Sequence, residues 1–450
     1  MSIPEASVKL AHLVAIPTVS DTDADRVDLA DHRAFQVQLE HEFPRAHALL
    51  EREQPGDFAL LYTWRGRDPS LQAVAFLAHW DVVAVGAAAE RNWTHPPFSG
   101  FTDDQFIWGR GTLDDKISVV ALLEAVERLA AQGFSPQRTL YLCFGGDEEV
   151  SGIRGAGTIA RTLTGRGTRL AAIFDEGGVV LDGFLPAVRG PVALVGIAEK
   201  GHLNIRLSTI HGAEDESSPE KSARGRINRA IDRIERSPFP SRLTDPVREL
   251  LRAVAPGVPW PARLLYRMPR LFSPILLRAL ATGTATEHLV RTTLSITLPR
   301  DGDMRGEHRH PATADITVRT LPGDSIDSVI HRFTRLVADR SVRFEPVPGD
   351  VPGEPVFPHA LSARQFALVT EAVHAVFPES LCTPYLLNAS TDSKHYLGLT
   401  GNIVRFTPIR LSMSDLRRVH GIDERVSHEN LARAVEFYIT LMQTAAQSVS

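Results

Sequence analysis

The sequence predicts an α/β protein whose mainly parallel sheet is interrupted by a smaller, inserted α+β domain. Three observations carry that expectation. Short, wholly apolar runs alternate with an amphipathic helix in the first half of the chain. One-sided alternation replaces them near residue 199, and the first kind of pattern returns towards the end. With 450 residues, 43% of them apolar, the chain is long enough to bury the cores of two domains.

In chain order, "QAVAFLA" at 72–78 reads as a buried strand, "TLYLCF" at 139–144 as a second, and "LAAIF" at 170–174 as a third. Between the first two, "ISVVALLEAVERLAAQG" has helical spacing and stops at Gly133. Sheets wound this way collect ligands beyond the carboxyl ends of their strands. From residue 200, "GHLNIRLSTI" and "ATADITVRTLPGDS" alternate like strands with one wet face, while "INRAIDRIERSPFP" and "IDSVIHRFTRLVAD" read as helices. The expected division is 1–199 and 349–450 for the larger domain and 200–348 for the insert. Within the insert, "RELLRAVAPGVPWPARLLYRMPRLFSPILLRALATG" is apolar and punctuated by proline. From "LVTEAVHAVF" to "NLARAVEFYITLMQTAA", helix and strand patterns complete the larger domain.

Composition narrows the function. A net charge of -5 with no long run of one sign argues against nucleic acid as the main partner. Cys143 and Cys382 form no CxxC pair, which excludes a thiolate zinc site and argues against a disulfide framework. The segment "MSIPEASVKLAHLVAIPTVS" makes a poor secretory signal, and no apolar run reaches transmembrane length. A soluble cytoplasmic protein is the expectation.

Five stretches carry groups fit for chemistry, each following an apolar run or a turn. "YLCFGGDEEVSG" ends in Asp147, Glu148 and Glu149, three adjacent carboxylates that raise one another's proton affinity unless cations lie nearby. "FLAHWDVV" supplies His79 and Asp81, two apart and so on one side of an extended chain. "IWGRGTLDDK" places Asp114 and Asp115 before a helix, where capping alone would explain acids. "IFDEGG" gives Asp175 and Glu176, equally at home in a turn, and "RVHGIDE" gives His420. Taken together, His79, Asp114, Glu149, Asp175 and His420 are two imidazoles and three carboxylates. Mixed N and O donors of this kind suit Zn²⁺, with Mn²⁺ or Co²⁺ as alternatives. Glu148 then stands beside the ligands as a candidate proton acceptor.

The same stretches, with "NWTHPPFSG", "ERSPFP", "LPGDS", "STDSKHY" and "VRFTP" in order, resemble the di-zinc aminoacylase and carboxypeptidase family. The branch most alike contains carboxypeptidase S and the N-fatty-acyl-amino-acid synthase/hydrolase. The resemblance implies a zinc-exopeptidase-like catalytic domain with a lid that often forms a homodimer. It implies two Zn²⁺ per chain: His79 and Asp175 on one, Glu149 and His420 on the other, Asp114 bridging. Asp81 would support His79, Glu148 would be the general base, and a cis peptide would join Asp114 to Asp115. The implied reaction is hydrolysis of the amide bond of an N-acyl amino acid or a short peptide with a free carboxylate.

The lid departs from the family pattern. Where the family has Gly-His-Ser-Ser-x-Pro, this chain has "GAEDESSPEK", with Glu216 in place of the His that helps stabilise the oxyanion. A carboxylate anion cannot donate that hydrogen bond. His211, His308 and His310 are candidate replacements. By the same resemblance, Arg319 is a candidate for gripping a substrate carboxylate, and Ser390 and Thr391 for contacting substrate. The apolar insert around Trp260, Leu264, Phe272 and Leu276 is a candidate acyl channel.

Overall fold

Apolar strands without alternation must be covered on both faces, and the central sheet is built from them. The structure, a computed structural model, describes residues 4–185, 187–209, 222–283, 286–297, 313–347, 352–356 and 363–447. Its eight-stranded sheet runs, edge to edge, Glu51–Gly56, Ala59–Trp64, Leu140–Gly145, Ala73–His79, Leu170–Asp182, Ile403–Ser412, Pro191–Glu199 and Leu381–Leu387. Leu140–Gly145, Ala73–His79, Leu170–Asp182 and Ile403–Ser412 are successively parallel, so their carboxyl ends open on one side. Helices Lys116–Ala131 and His428–Gln447 contribute Leu122, Val126, Leu431 and Tyr438 to the core beneath them.

Two features differ from the sequence expectation. The hairpin Glu51–Gly56/Ala59–Trp64 adds an antiparallel edge that the apolar-run reading did not find. The third strand does not stop at residue 174 but continues to Asp182. Glycine allows the continuation: Gly177 has φ 139°, and a Cβ on Gly178 would lie 1.7 Å from the Leu194 carbonyl.

The smaller sheet is ordered Val342–Pro346, Gly201–Thr209, Thr313–Thr320 and Thr293–Thr297, all antiparallel. One face carries Leu203, Ile205, Ile316 and Val318 against Ile227, Ile234 and Phe333 of helices Ala223–Glu235 and Ile326–Val337. Period-two alternation then sends His202, Asn204 and Arg319 to the other face. The Pro-punctuated segment packs elsewhere: Val247, Leu250, Val254, Leu276 and Leu280 join the core of the larger sheet. Among the described residues no helix is long and apolar enough to cross a membrane.

Candidate metal centre and cleft

The carboxyl ends of the parallel strands place the chemistry. His79 ends its strand, Glu148 and Glu149 follow Leu140–Gly145 by a few residues, and Asp175 lies within Leu170–Asp182. Asp114 precedes helix Lys116–Ala131, and its peptide bond to Asp115 is cis. His420 comes from a loop beyond the last long strand, with φ 57°.

These side chains converge. Ligand atoms of His79, Asp114 and Glu149 lie within 4.8 Å of one another. Asp114 presents Oδ1 to His79 Nε2 and Oδ2 to His420 Nε2, each at 3.0 Å. His420 Nε2 is also 3.0 Å from Glu149 Oε1, without the alignment of a hydrogen bond, and that buried oxygen has no hydrogen-bond partner among the described residues. Asp81, fully buried, holds the arrangement from behind. Its main-chain oxygen lies 3.1 Å from His79 Nδ1, and its carboxylate accepts from the amides of Glu148 (3.0 Å) and Glu149 (3.1 Å). With Nδ1 turned to Asp81, Nε2 of His79 is the nitrogen that faces the cluster. Asp175 lies outside the three-residue group; its oxygens accept from the amides of Glu176 (2.9 Å) and Ser393 (3.0 Å).

The electrostatics call for cations. Burial, reinforced by Asp392 and Glu149, pushes the Glu148 carboxyl well above the ordinary carboxylate range. Burial does the same to Asp115 and Glu176, and to Glu149 to a lesser degree. Burial alone would raise Asp114 too, but hydrogen bonds with His420 and His79 hold it well below that range. The bond to Asp114, with the Glu149 carboxylate close beside the ring, pushes His420 up to about 10. A carboxylate with each oxygen towards a different imidazole, and a second carboxylate oxygen left without a partner, fit a pair of divalent cations.

Two buried pairs, both missed by the sequence reading, position this centre. Arg110 is paired with Glu424 and also donates to the His420 carbonyl (3.0 Å). Glu424 accepts from the amides of Gly111 (3.0 Å) and Leu113 (2.8 Å), so it ties the Asp114 turn to the His420 loop. Arg405 Nε lies 2.6 Å from Glu199 Oε1 and donates to Ser393 Oγ (2.9 Å). Thr391 donates its hydroxyl to Glu199 (2.9 Å). Arg110, Glu424 and Arg405 lay in quoted stretches and Glu199 did not, but nothing in the spacing of an Arg and a Glu hundreds of residues apart marks them as partners.

A cleft of about 1310 Å³ opens over the centre, lined by Asp114, Glu148, Glu149, Glu176 and His420 on its floor. Arg319, His202 and Asn204 face it from the smaller sheet, and Ser390 and Thr391 from the loop after Leu381–Leu387. An apolar arm is formed by Val179, Leu181, Leu194, Ile197, Ile409 and Leu411. The apolar segment around Trp260, Leu264, Phe272 and Leu276 does not contribute to this lining, which corrects the sequence expectation. Trp260 is 76% exposed, Leu264 points outwards, Leu276 is buried in the core, and Phe272 packs against that core. Glu216, His211, His308 and His310 lie outside the described residues.

Residues 75–444 match Peptidase family M20/M25/M40. The "Probable carboxypeptidase S-like 2" of Dictyostelium discoideum is 36% identical over 444 residues, with 98% of this chain and 85% of that protein covered. The human "N-fatty-acyl-amino acid synthase/hydrolase PM20D1" is 34% identical over 442 residues, with 96% and 86% covered. Among solved structures, the M20 family metallo-carboxypeptidase Sso-CP2 of Sulfolobus solfataricus aligns with TM-score 0.70 at 14% identity, covering 98% of this chain and 99% of that one. Human carnosine dipeptidase 1 aligns with TM-score 0.65 at 15% identity, covering 99% and 97%. At such identities the structural likeness concerns the fold alone.

Proposed function

Because this chain belongs to peptidase family M20/M25/M40 and is a metallohydrolase of that family, we propose that it cleaves the amide bond of N-acyl amino acids, or of short peptides with a free carboxylate, with two Zn²⁺ as cofactors. Mn²⁺ or Co²⁺ would suit the same donors. The observation that carries this reading is Asp114, whose two oxygens each meet a different imidazole beside Glu148.

In this reading His79 and Asp175 would hold one cation and Glu149 and His420 the other, with Asp114 shared between them. When bound, the two cations supply Lewis acidity to the scissile carbonyl and to the attacking water. Glu148 takes the proton of that water and passes it to the departing amine nitrogen. Asp81 keeps the His79 ring oriented and fixes the Glu148 and Glu149 amides. Arg319 offers its guanidinium fork to the substrate carboxylate, and Ser390 and Thr391 border the same space. Because Thr391 already donates to Glu199, Ser390 has the hydroxyl more readily turned to substrate. The arm from Val179 to Leu411 receives the acyl chain. A homodimer through the smaller sheet belongs to the same reading and is tested by the mass in solution.

The test is a series of N-acyl amino acids from acetyl to palmitoyl, together with dipeptides, given to the wild type and to Glu148→Gln. Loss of the base lowers kcat by about 10²–10⁴ on every substrate while metal content is kept. Retained turnover would remove Glu148 from the role. Leu411→Gln with Ile409→Gln lowers kcat/KM for the palmitoyl substrate about tenfold more than for the acetyl one. Equal losses would leave a peptidase without acyl preference.

A further inference from the structure

The proline-punctuated segment is anchored by one side and apolar on the other. Helices Arg263–Arg267 and Ser273–Thr282 turn Tyr266, Leu276 and Leu280 into the core of the larger sheet. The outer side of the segment carries Trp260, Leu264, Met268, Leu271 and Ile275, which are 76%, 40%, 45%, 64% and 55% exposed. Leu264 and Ile275 lie within the two helices, and Trp260, Met268 and Leu271 in the turns that flank and join them. These are five of the thirteen large hydrophobic side chains exposed among the described residues, and all come from positions 260–275. Such a concentration marks an interaction surface rather than the scatter normal for a protein exterior. The inner anchors prevent the helices from rolling to hide it.

Charge selects the partner. Between residues 250 and 286 there is no Asp or Glu, whereas Arg252, Arg263, Arg267, Arg270 and Arg278 all occur. All five are exposed. A local charge of +5 thus stands on a chain whose net charge is -5. An indole, long aliphatic side chains and a border of guanidinium groups are what a helix lying in a lipid headgroup layer presents. Guanidinium groups pair with headgroup phosphates and are drawn to anionic lipid.

We propose that this face docks the protein on an anionic lipid surface, with Trp260, Leu271 and Ile275 entering the headgroup boundary and the arginines meeting its phosphates. The inference is independent of the hydrolase reading, since none of these side chains lines the cleft.

Flotation of the full chain with vesicles tests it, using phosphatidylcholine alone against phosphatidylcholine with phosphatidylserine. The wild type floats with the anionic vesicles, and about 0.5 M salt weakens the association. Trp260→Ser/Leu271→Ser/Ile275→Ser and, separately, Arg267→Glu/Arg270→Glu each reduce partitioning about tenfold or more. Both leave circular dichroism and turnover of an acetyl substrate unchanged, because the altered side chains are exposed and none lines the cleft. A wild type that binds neither vesicle, or serine and glutamate variants that float as well as the wild type, would overturn the proposal. So would a wild-type dimer that the serine variant turns into monomer without vesicle binding, an outcome that assigns the face to a second copy of the chain.

Discussion

The cluster built on Asp114 and the cluster built on Arg405 share one cleft and meet where Ser393 donates its amide to Asp175. Both bury carboxylates, but they balance them by different means. Glu199 has its cation within the fold: Arg405 at 2.6 Å, with Thr391 and Ser393 bonded around the pair. Burial still pushes the Glu199 carboxyl up, against the pull of Arg405 and Thr391. At Asp114, by contrast, the facing groups are imidazoles, and Glu148, Glu149, Asp115 and Glu176 are all pushed upwards by burial and by neighbouring carboxylates. One cluster carries its counter-cation within the fold, although Glu199 Oε2 and one Arg405 nitrogen have no hydrogen-bond partner among the described residues, whereas the other has the charge of a site that receives its cations from outside.

Chelation should separate the two most sharply. Removing divalent cations is expected to abolish hydrolysis and lower the thermal midpoint, and returning Zn²⁺ restores both. Cation present at about 1,000 times its Kd stabilises the folded chain by about 4 kcal/mol, which sets the scale of the shift. Asp114→Asn, nearly the same shape, should show the chelated midpoint whether or not metal is added, as metal analysis and calorimetry would reveal. A midpoint indifferent to chelator would mean that the acidic cluster is balanced without ions and would erase the contrast.

The same contrast explains what could be read from the sequence. The convergence of His79, Asp114, Glu149 and His420 was legible because their imidazoles and carboxylates sit in compact local motifs such as "GRGTLDDK" and "GGDEEVSG" that follow apolar runs or turns. The buried strands and the long helix were legible from apolar runs and helical spacing, to within a few residues. The Glu199–Arg405 and Glu424–Arg110 pairs were not, since each joins residues far apart in the chain and only the fold brings them into contact. The apolar lining of the cleft was misplaced for a related reason. Hydrophobicity alone marks 260–276, yet the side chains that line the cleft are alternate residues of sheet strands, whose direction only the fold decides.

A loss of stability of similar size, without loss of the imidazoles, comes from breaking the internally balanced pair. Glu199→Gln leaves the Arg405 guanidinium buried without its carboxylate, and such a loss destabilises by about 3–5 kcal/mol. The urea midpoint should fall accordingly. Combining it with Arg405→Met removes the stranded charge and should recover part of that loss. Metal content should survive in the double variant, because none of the imidazoles is touched. If the double variant is less stable than Glu199→Gln alone, the guanidinium holds the cleft by bonds other than its pairing with Glu199.

Lys200, next in sequence to Glu199, shows a third way to bury a charge, which is to lose it. Its Nζ donates to the carbonyls of His288 (3.2 Å) and Arg291 (2.9 Å) and to Thr293 Oγ1 (3.2 Å). Burial, with Arg319 adding repulsion, pushes its amine down to about 7. An unfolded lysine titrates near 10.4, so above about pH 7 the unfolded chain keeps a proton that the folded chain has released. The cost of burying the ammonium is therefore full below about pH 7 and shrinks as pH rises towards the unfolded value. Stability of the wild type should gain on that of Lys200→Met by up to about 1.4 kcal/mol per pH unit over this window. Urea unfolding at pH 7, 8 and 9 (about one slope point per unit) measures the difference. Lys116, also pushed down to about 7 by burial, titrates in both proteins and cancels from the comparison. The three oxygen acceptors oppose the effect, since they favour the ammonium form. Parallel pH profiles for the two proteins would mean that those acceptors prevail and that Lys200, like Arg405, keeps its charge in the fold.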